Sequence, residues 1–182
     1  MSEREQYTPG PANAQVRKDG DKWTIILVRD LRHSPEKVWQ ALTDPAQLRE
    51  WAPFDADANM GKVGRVKLTW LGTSAVVETP VTRADAPKVL EYGDTRWELE
   101  PIVGGTRLTL WASINRRFVS MGAAGWHIGL DMLDRLLSGA PTRRIAGADA
   151  IKFDGWQRLN AEYAKQFGVE PPGWPPQVAQ KR

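Results

Sequence analysis

Apolar and polar residues alternate along much of this chain, and the period of the alternation changes after Ile114. From Arg65 to Trp70 it is two: Val66, Leu68 and Trp70 face one way, Arg65, Lys67 and Thr69 the other. From Thr95 to Glu100, Trp97 and Leu99 oppose Arg96, Glu98 and Glu100. From Thr106 to Ile114, the inward set is Leu108, Leu110, Ala112 and Ile114, with Arg107, Thr109 and Trp111 on the reverse. Gly104-Gly105 between the last two segments predicts a tight hairpin. Five more strands are expected. Ala14–Arg17 is a short edge strand joined through Asp19-Gly20 to Trp23–Val28, which is apolar on both faces and needs cover on both sides or a neighbouring element. Asp55–Asn59, Ala75–Thr82 and Lys88–Tyr92 follow, and Pro80 restricts its strand to an edge or a bulge.

After Ile114 the period becomes about 3.6 residues, that of a helix. Gly122, Trp126, Gly129, Leu130, Leu133 and Leu137 form one stripe, with Ser120 as the expected cap and Gly139-Ala140-Pro141 as the stop. The segment 142–153 reads as a loop. Asp154 and Gln157 then suggest a capping box, and Trp156, Leu159, Asn160, Tyr163 and Phe167 share a helix face that ends at Gly168. Earlier in the chain, Ser34 before Pro35 and Asp44 before Pro45 mark two further helix starts, the second with Gln47 placed to complete a capping box. Val38, Ala41 and Leu42, flanked by Trp39, face inward from the first; Leu48, Trp51 and Ala52 do so from the second.

The run Ser34-Pro35, Val38-Trp39, Ala41-Leu42-Thr43-Asp44-Pro45, Leu48 and Trp51 resembles the opening of the START-like (SRPBCC) superfamily. Within it, the run is most similar to the branch named after the activator of the heat-shock protein 90 ATPase. Arg96–Pro101 with Gly104–Leu110 resembles that branch's closing hairpin, and Gly125–Leu133 the start of its long C-terminal helix. The likeness spans about 15–168. It implies an α+β helix-grip fold: a curved antiparallel β-sheet wrapped around a long C-terminal helix, with two short helices after the first main strand. The burial argument agrees, since an antiparallel sheet with one apolar face needs a cover. The superfamily spans many ligands and activities, so the likeness names no function.

Composition narrows the chemistry. The chain has 182 residues, enough for one domain with a sizeable core. We expect residues 1–12 to be flexible, 13–168 to form a single domain, and 169–182 to be a Pro-rich tail, both ends being removable with little loss of stability. There are no cysteines, which excludes disulfides, a thiol nucleophile and thiolate metal sites, and suits a reducing compartment. Two histidines, His33 and His127, are too few to build a zinc site on. Neither a metal nor a cofactor is expected. A net charge of +3 against 25 basic and 22 acidic residues gives no nucleic-acid footprint. No apolar run suits a membrane span or an export signal, so a soluble cytoplasmic protein is expected.

Nine tryptophans remain to be placed. Trp70, Tyr92, Trp97 and Trp126 point inward on this pattern, and they serve either a plain core or an apolar ligand pocket. With Leu110, Leu130, Leu133 and His127, which flanks the helix stripe, they form the candidate ligand-binding set. His127 as a general base lacks a partner at fixed spacing, and a structural histidine is the preferred reading. Asp131 and Asp134 read as a solvated face, and no serine sits in a nucleophile-elbow setting. Gly122, Gly125 and Gly129 indicate either close backbone packing or room left for a ligand. The favoured function is non-catalytic binding or sensing of a small apolar or aromatic molecule between sheet and helix. The alternatives are co-chaperone-like docking on heat-shock protein 90, as the family name implies, and a cyclase- or hydrolase-type enzyme. A homodimer is left open.

Overall fold

The computed structural model describes residues 7–73, 75–141 and 143–170. Its strands are β1 (Gln15–Arg17), β2 (Lys22–Leu31), β3 (Phe54–Ala56), β4 (Gly64–Trp70), β5 (Val76–Asp85), β6 (Val89–Tyr92), β7 (Thr95–Ile102) and β8 (Gly105–Asn115). They form one antiparallel eight-stranded sheet in the order β1-β2-β8-β7-β6-β5-β4-β3. Two short helices, α1 (Pro35–Thr43) and α2 (Pro45–Trp51), interrupt the sheet between β2 and β3, and α3 (Val119–Leu137), α4 (Ala148–Ile151) and α5 (Asp154–Phe167) complete the chain. This is the helix-grip arrangement, with α3 as the long helix. Among the described residues, no helix is long and apolar enough to cross a membrane.

Local signals place the first helices. The Ser34 hydroxyl accepts from the Lys37 N–H at 3.2 Å and opens α1. The Asp44 carboxylate accepts from the Ala46 N–H at 3.0 Å and opens α2. The expected capping box around Asp44 is incomplete, because the Asp44 N–H already closes α1 on the Gln40 carbonyl. Gln47 therefore reaches only the Asp44 side chain, at 3.4 Å.

β2 lies between β1 and β8, with Ile25 and Leu27 fully buried beneath it and Val28 48% exposed on the open outer face. Pro80 is in an interior strand, and the β5–β6 ladder shifts register between Val81 and Arg83, just after it. Pro80 itself lies past the end of β6, where the Gly93 N–H of the β6–β7 turn donates to its carbonyl at 3.1 Å.

Two expected caps are corrected. α3 starts at Val119, continuing a 3-10 turn over Arg116–Phe118 in which the Asn115 side chain accepts from the Arg117 N–H. Ser120 lies inside the helix, fully buried, and donates to the Asn160 side-chain oxygen of α5 at 2.7 Å. Asp154 is the first residue of α5 and makes no cap bond, while Gln157 donates to the Ile151 carbonyl at 2.8 Å. The 142–153 segment contains the short helix α4.

The N-terminal segment also departs from expectation. Residues 7–12 dock on α3 and α5. Tyr7 is buried, stacks on Phe153 with ring centroids 5.7 Å apart and donates to the Asp131 carboxylate. The Arg135 guanidinium lies 5.0 Å from the Tyr7 ring. Arg158 donates to the Pro9 carbonyl, and the Ala12 N–H reaches the Glu162 carboxylate at 3.2 Å. Asp131 is thus drawn into a packed cluster and not left on a solvated face. Deletion of residues 1–12 is expected to lower the melting temperature by several degrees, because it uncovers Phe153 and leaves a partly buried carboxylate without its phenol. A thermal melt showing an unchanged midpoint would contradict this docking. Most of the Pro-rich tail lies outside the described residues.

Candidate functional site

The inner face of the sheet and the near face of α3 do not meet along their whole length. Between them lies a cavity of about 590 Å³. Its walls are overwhelmingly apolar. Leu68, Trp70, Tyr92 and Ala112 line it from the sheet, and Met121, Gly122, Gly125, Trp126 and Gly129 from α3. Ile145, Ala146, Gly147 and α4 complete the wall, together with Trp156 of α5.

The three glycines of α3 answer the choice between packing and room separately. A side chain at Gly122 would stand 3.1 Å from the terminal methyls of both Ile25 and Ile114, so this glycine permits close packing. A side chain at Gly129 would make ordinary contact with Trp51, at 3.8 Å from its carbonyl oxygen. At Gly125, nothing lies within 4 Å of the position a Cβ would occupy. Gly125 therefore leaves space, at a cost of roughly 1 kcal/mol in helix stability relative to alanine.

The rim is shaped by a second glycine pair. Gly72, in the β4–β5 turn, has φ +93°, and Gly147, before α4, has φ +59°. A Cβ on Gly147 would come within 2.9 Å of the Gly72 amide nitrogen. The two turns touch backbone to backbone, a contact that no larger residue permits. Arg144 anchors the same loop by donating to the Asp55 carboxylate at 2.8 Å and the Ala52 carbonyl at 3.3 Å.

Of the residues expected at a ligand site, Trp70, Tyr92 and Trp126 line the cavity. Trp97 sits one layer behind them. It is fully buried, meets Trp51 and Trp126 edge-on at 6.0 and 5.6 Å, and donates its indole N–H to the Tyr92 hydroxyl at 3.0 Å. Leu110, Leu130 and Leu133 are buried away from the cavity wall, in the packed core. Trp51, Met121, Ile145 and Trp156 belong to the wall although the sequence did not single them out for it. Met121 borders the helix stripe and could have been found by widening it, whereas Ile145 sits in a loop without periodicity.

His127 faces away from the cavity, into the α3–α5 interface, where it is only 2% exposed. Its Nδ1 lies 2.7 Å from the Tyr163 hydroxyl. That hydroxyl already accepts from the N–H groups of Asn13 at 3.2 Å and Ala14 at 3.3 Å, so its own proton points to Nδ1. The imidazole is thereby held neutral with its hydrogen on Nε2, on the side where Asp131 Oδ2 stands 3.9 Å away. Burial, reinforced by the positive charges of Arg29 and Arg158, pulls its pKa down to about 4. The Asp131 carboxyl is pushed up, chiefly by burial. The arrangement locks the N-terminal segment, α3 and α5 together, and it is remote from the cavity. Among the described residues, no cluster of His, Asp or Glu could hold a metal ion.

Known structures share this architecture. A conserved protein of unknown function from Enterococcus faecalis, EF2215, superposes with a TM-score of 0.67 at 20% identity, covering 86% of this chain and 92% of that one. CalU16 from Micromonospora echinospora gives 0.59 at 18% identity, covering 86% and 94%. MLL2253 from Mesorhizobium loti gives 0.56 at 24% identity, covering 64% and 97%. At such identities the likeness speaks for the fold alone. No curated protein matches the chain. Residues 32–138, from the turn before α1 to the end of α3, match the family described as activator of Hsp90 ATPase homolog 1-like protein. The match covers more than half of the chain and takes in the helix pair, the sheet from β3 to β8 and the helix that the sheet grips, so this chain belongs to that family.

Proposed function

We propose that this domain binds a small apolar or aromatic molecule in the cavity between sheet and α3, and acts as a carrier or sensor without catalysis. The family's fold is that of a ligand-binding domain in general. The observation that carries the narrower reading is the cavity itself: about 590 Å³, within the roughly 300–1,000 Å³ of small-molecule sites, and walled by Trp51, Trp70, Trp126 and Trp156. Gly125 supports it, because an α-helix gains nothing from a glycine that faces empty space unless the space is used. Among the described lining residues the only charged one is Asp94, which pairs with Lys22 at 2.8 Å. That arrangement favours binding over acid–base chemistry.

Docking on a chaperone is the weaker reading. Among the described residues, the large exposed apolar side chains are Val28, Val63, Val76, Val77 and Val103; only Val76 and Val77 are neighbours, both on β5.

The test is to fill the space. Gly125→Leu puts a side chain into the cavity where no atom opposes it. It is expected to keep or raise the melting temperature and to abolish binding. Wild type and variant would be titrated with a panel of flavonoid, fatty-acyl and polyketide-like compounds, followed by tryptophan fluorescence and thermal shift. If the wild-type protein responds to none of the panel, or the variant binds as well as wild type, the reading is wrong.

A further inference from the structure

The polar groups inside the cavity point to a narrower class of ligand, an inference that rests on the binding reading above. Thr79 donates its hydroxyl to the Val77 carbonyl at 3.2 Å, and Ser113 pairs with the Thr24 hydroxyl at 2.9 Å. Asp94 is occupied by Lys22. Thr95 is half-exposed and within reach of solvent. Tyr92 differs from these hydroxyl and carboxylate groups. It is 3% exposed, and its oxygen accepts the Trp97 indole N–H at 3.0 Å. A phenol oxygen that accepts still carries a proton to donate, and among the described residues that proton has no acceptor. Burial raises the Tyr92 pKa, so the proton stays on. A buried donor without a partner is costly, and a ligand acceptor removes the cost.

The second observation is the sign of the charge. Among the described residues lining the cavity there is no Lys, Arg or His. Arg144, next to the lining residue Ile145, is spent on Asp55 and two carbonyls, and Lys22 on Asp94. A carboxylate beside Tyr92 would lose its hydration and gain one neutral hydrogen bond, with no counter-charge.

We propose that the cavity selects neutral ring-containing molecules with a hydrogen-bond-accepting oxygen, held by the Tyr92 hydroxyl, and rejects the corresponding anions. Trp97 is the positioning residue: its indole N–H fixes the Tyr92 oxygen and so turns the proton toward the cavity.

Three probes share one two-ring skeleton with the rings trans: trans-stilbene has no acceptor, methyl (Z)-α-phenylcinnamate has a neutral one, and (Z)-α-phenylcinnamate has a carboxylate in the same place. Fluorescence titration of the wild-type protein at neutral pH is expected to rank the ester about three- to tenfold tighter than stilbene, the return from one neutral hydrogen bond. The carboxylate is expected to bind at least about tenfold more weakly than the ester. Tyr92→Phe also strands the Trp97 N–H and can cost stability, so the readout is the ester-to-stilbene affinity ratio within each protein. That ratio is expected to fall to about one in the variant, with stilbene still bound. Met121→Lys, which exchanges one unbranched stem at the cavity wall for another that ends in a cation, is expected to restore carboxylate binding. An unchanged ratio in Tyr92→Phe, or a carboxylate that binds wild type as tightly as the ester, overturns this inference while the binding reading stands. If none of the three probes binds wild type, both fall.

Discussion

Replacing Trp51 by alanine is expected to be the most damaging single truncation in this protein, costing about 3–5 kcal/mol and lowering the melting temperature by roughly 10 °C or more. Three elements converge on this side chain. Its indole N–H donates to the Ala41 carbonyl of α1 at 2.9 Å, which fixes the angle between the two short helices. Its ring lies 6.0 Å from Trp97 on the sheet and 6.5 Å from Trp126 on α3. It is 2% exposed and also forms part of the cavity wall, so truncation leaves a void that merges with the cavity. Trp51→Phe keeps the ring and loses only the hydrogen bond, and should recover most of the stability. Melts in which Trp51→Ala is no worse than Trp51→Phe would contradict this placement.

The second large effect is a loss of stability in mild acid. His127 has a folded pKa of about 4 against about 6.5 in the unfolded chain. As pH falls below 6.5 the unfolded chain takes up the proton first, so stability present at neutral pH drains away until the folded protein also protonates near pH 4. The full loss is on the order of 3 kcal/mol. The charges around the imidazole come from every element packed on it. Arg29 of β2 and Arg158 of α5 oppose protonation, and Glu162 of α5 favours it. Asp131 works the other way: its raised pKa makes the folded state protonate first, so it returns part of the stability at the acid end of the window. Melting temperature measured from pH 7.5 to 4.5 should fall in wild type and fall less steeply in His127→Gln, whose amide can still face Tyr163. Parallel slopes for the two proteins would show that His127 is not the group responsible.

The two ends of a helix, the turn of a hairpin and the inward side of a strand are local properties, and these were legible. Ser34-Pro35 and Asp44-Pro45 open their helices because the bonds that matter reach only two or three residues along the chain. Long-range partners were not legible. Ser120 reads as a cap until α5 brings Asn160 to it across 40 positions. Asp131 reads as solvated until Tyr7 arrives from 124 positions away. His127 lies off the main stripe, and the pattern of one helix does not say that a second helix covers its other side. The cavity was half legible for the same reason. Alternation puts Trp70 and Trp97 on the same side of the sheet. Their depth depends on how the sheet curves, which seats Trp97 behind Tyr92 and leaves Trp70 at the wall. Glycine spacing on α3 signalled either contact or space, and the strands opposite decide which.

The most direct measurement is a map of the tryptophan indole N–H signals in a two-dimensional NMR spectrum during titration with methyl (Z)-α-phenylcinnamate. Trp51, Trp70, Trp126 and Trp156 line the cavity, while Trp23, Trp39 and Trp111 do not. The first four signals are expected to move together and saturate, Trp97 to follow through its bond to Tyr92, and Trp23, Trp39 and Trp111 to stay in place. Movement confined to Trp23, Trp39 or Trp111, or no movement at any indole, would contradict the claim that this family member holds a ligand between its sheet and its long helix.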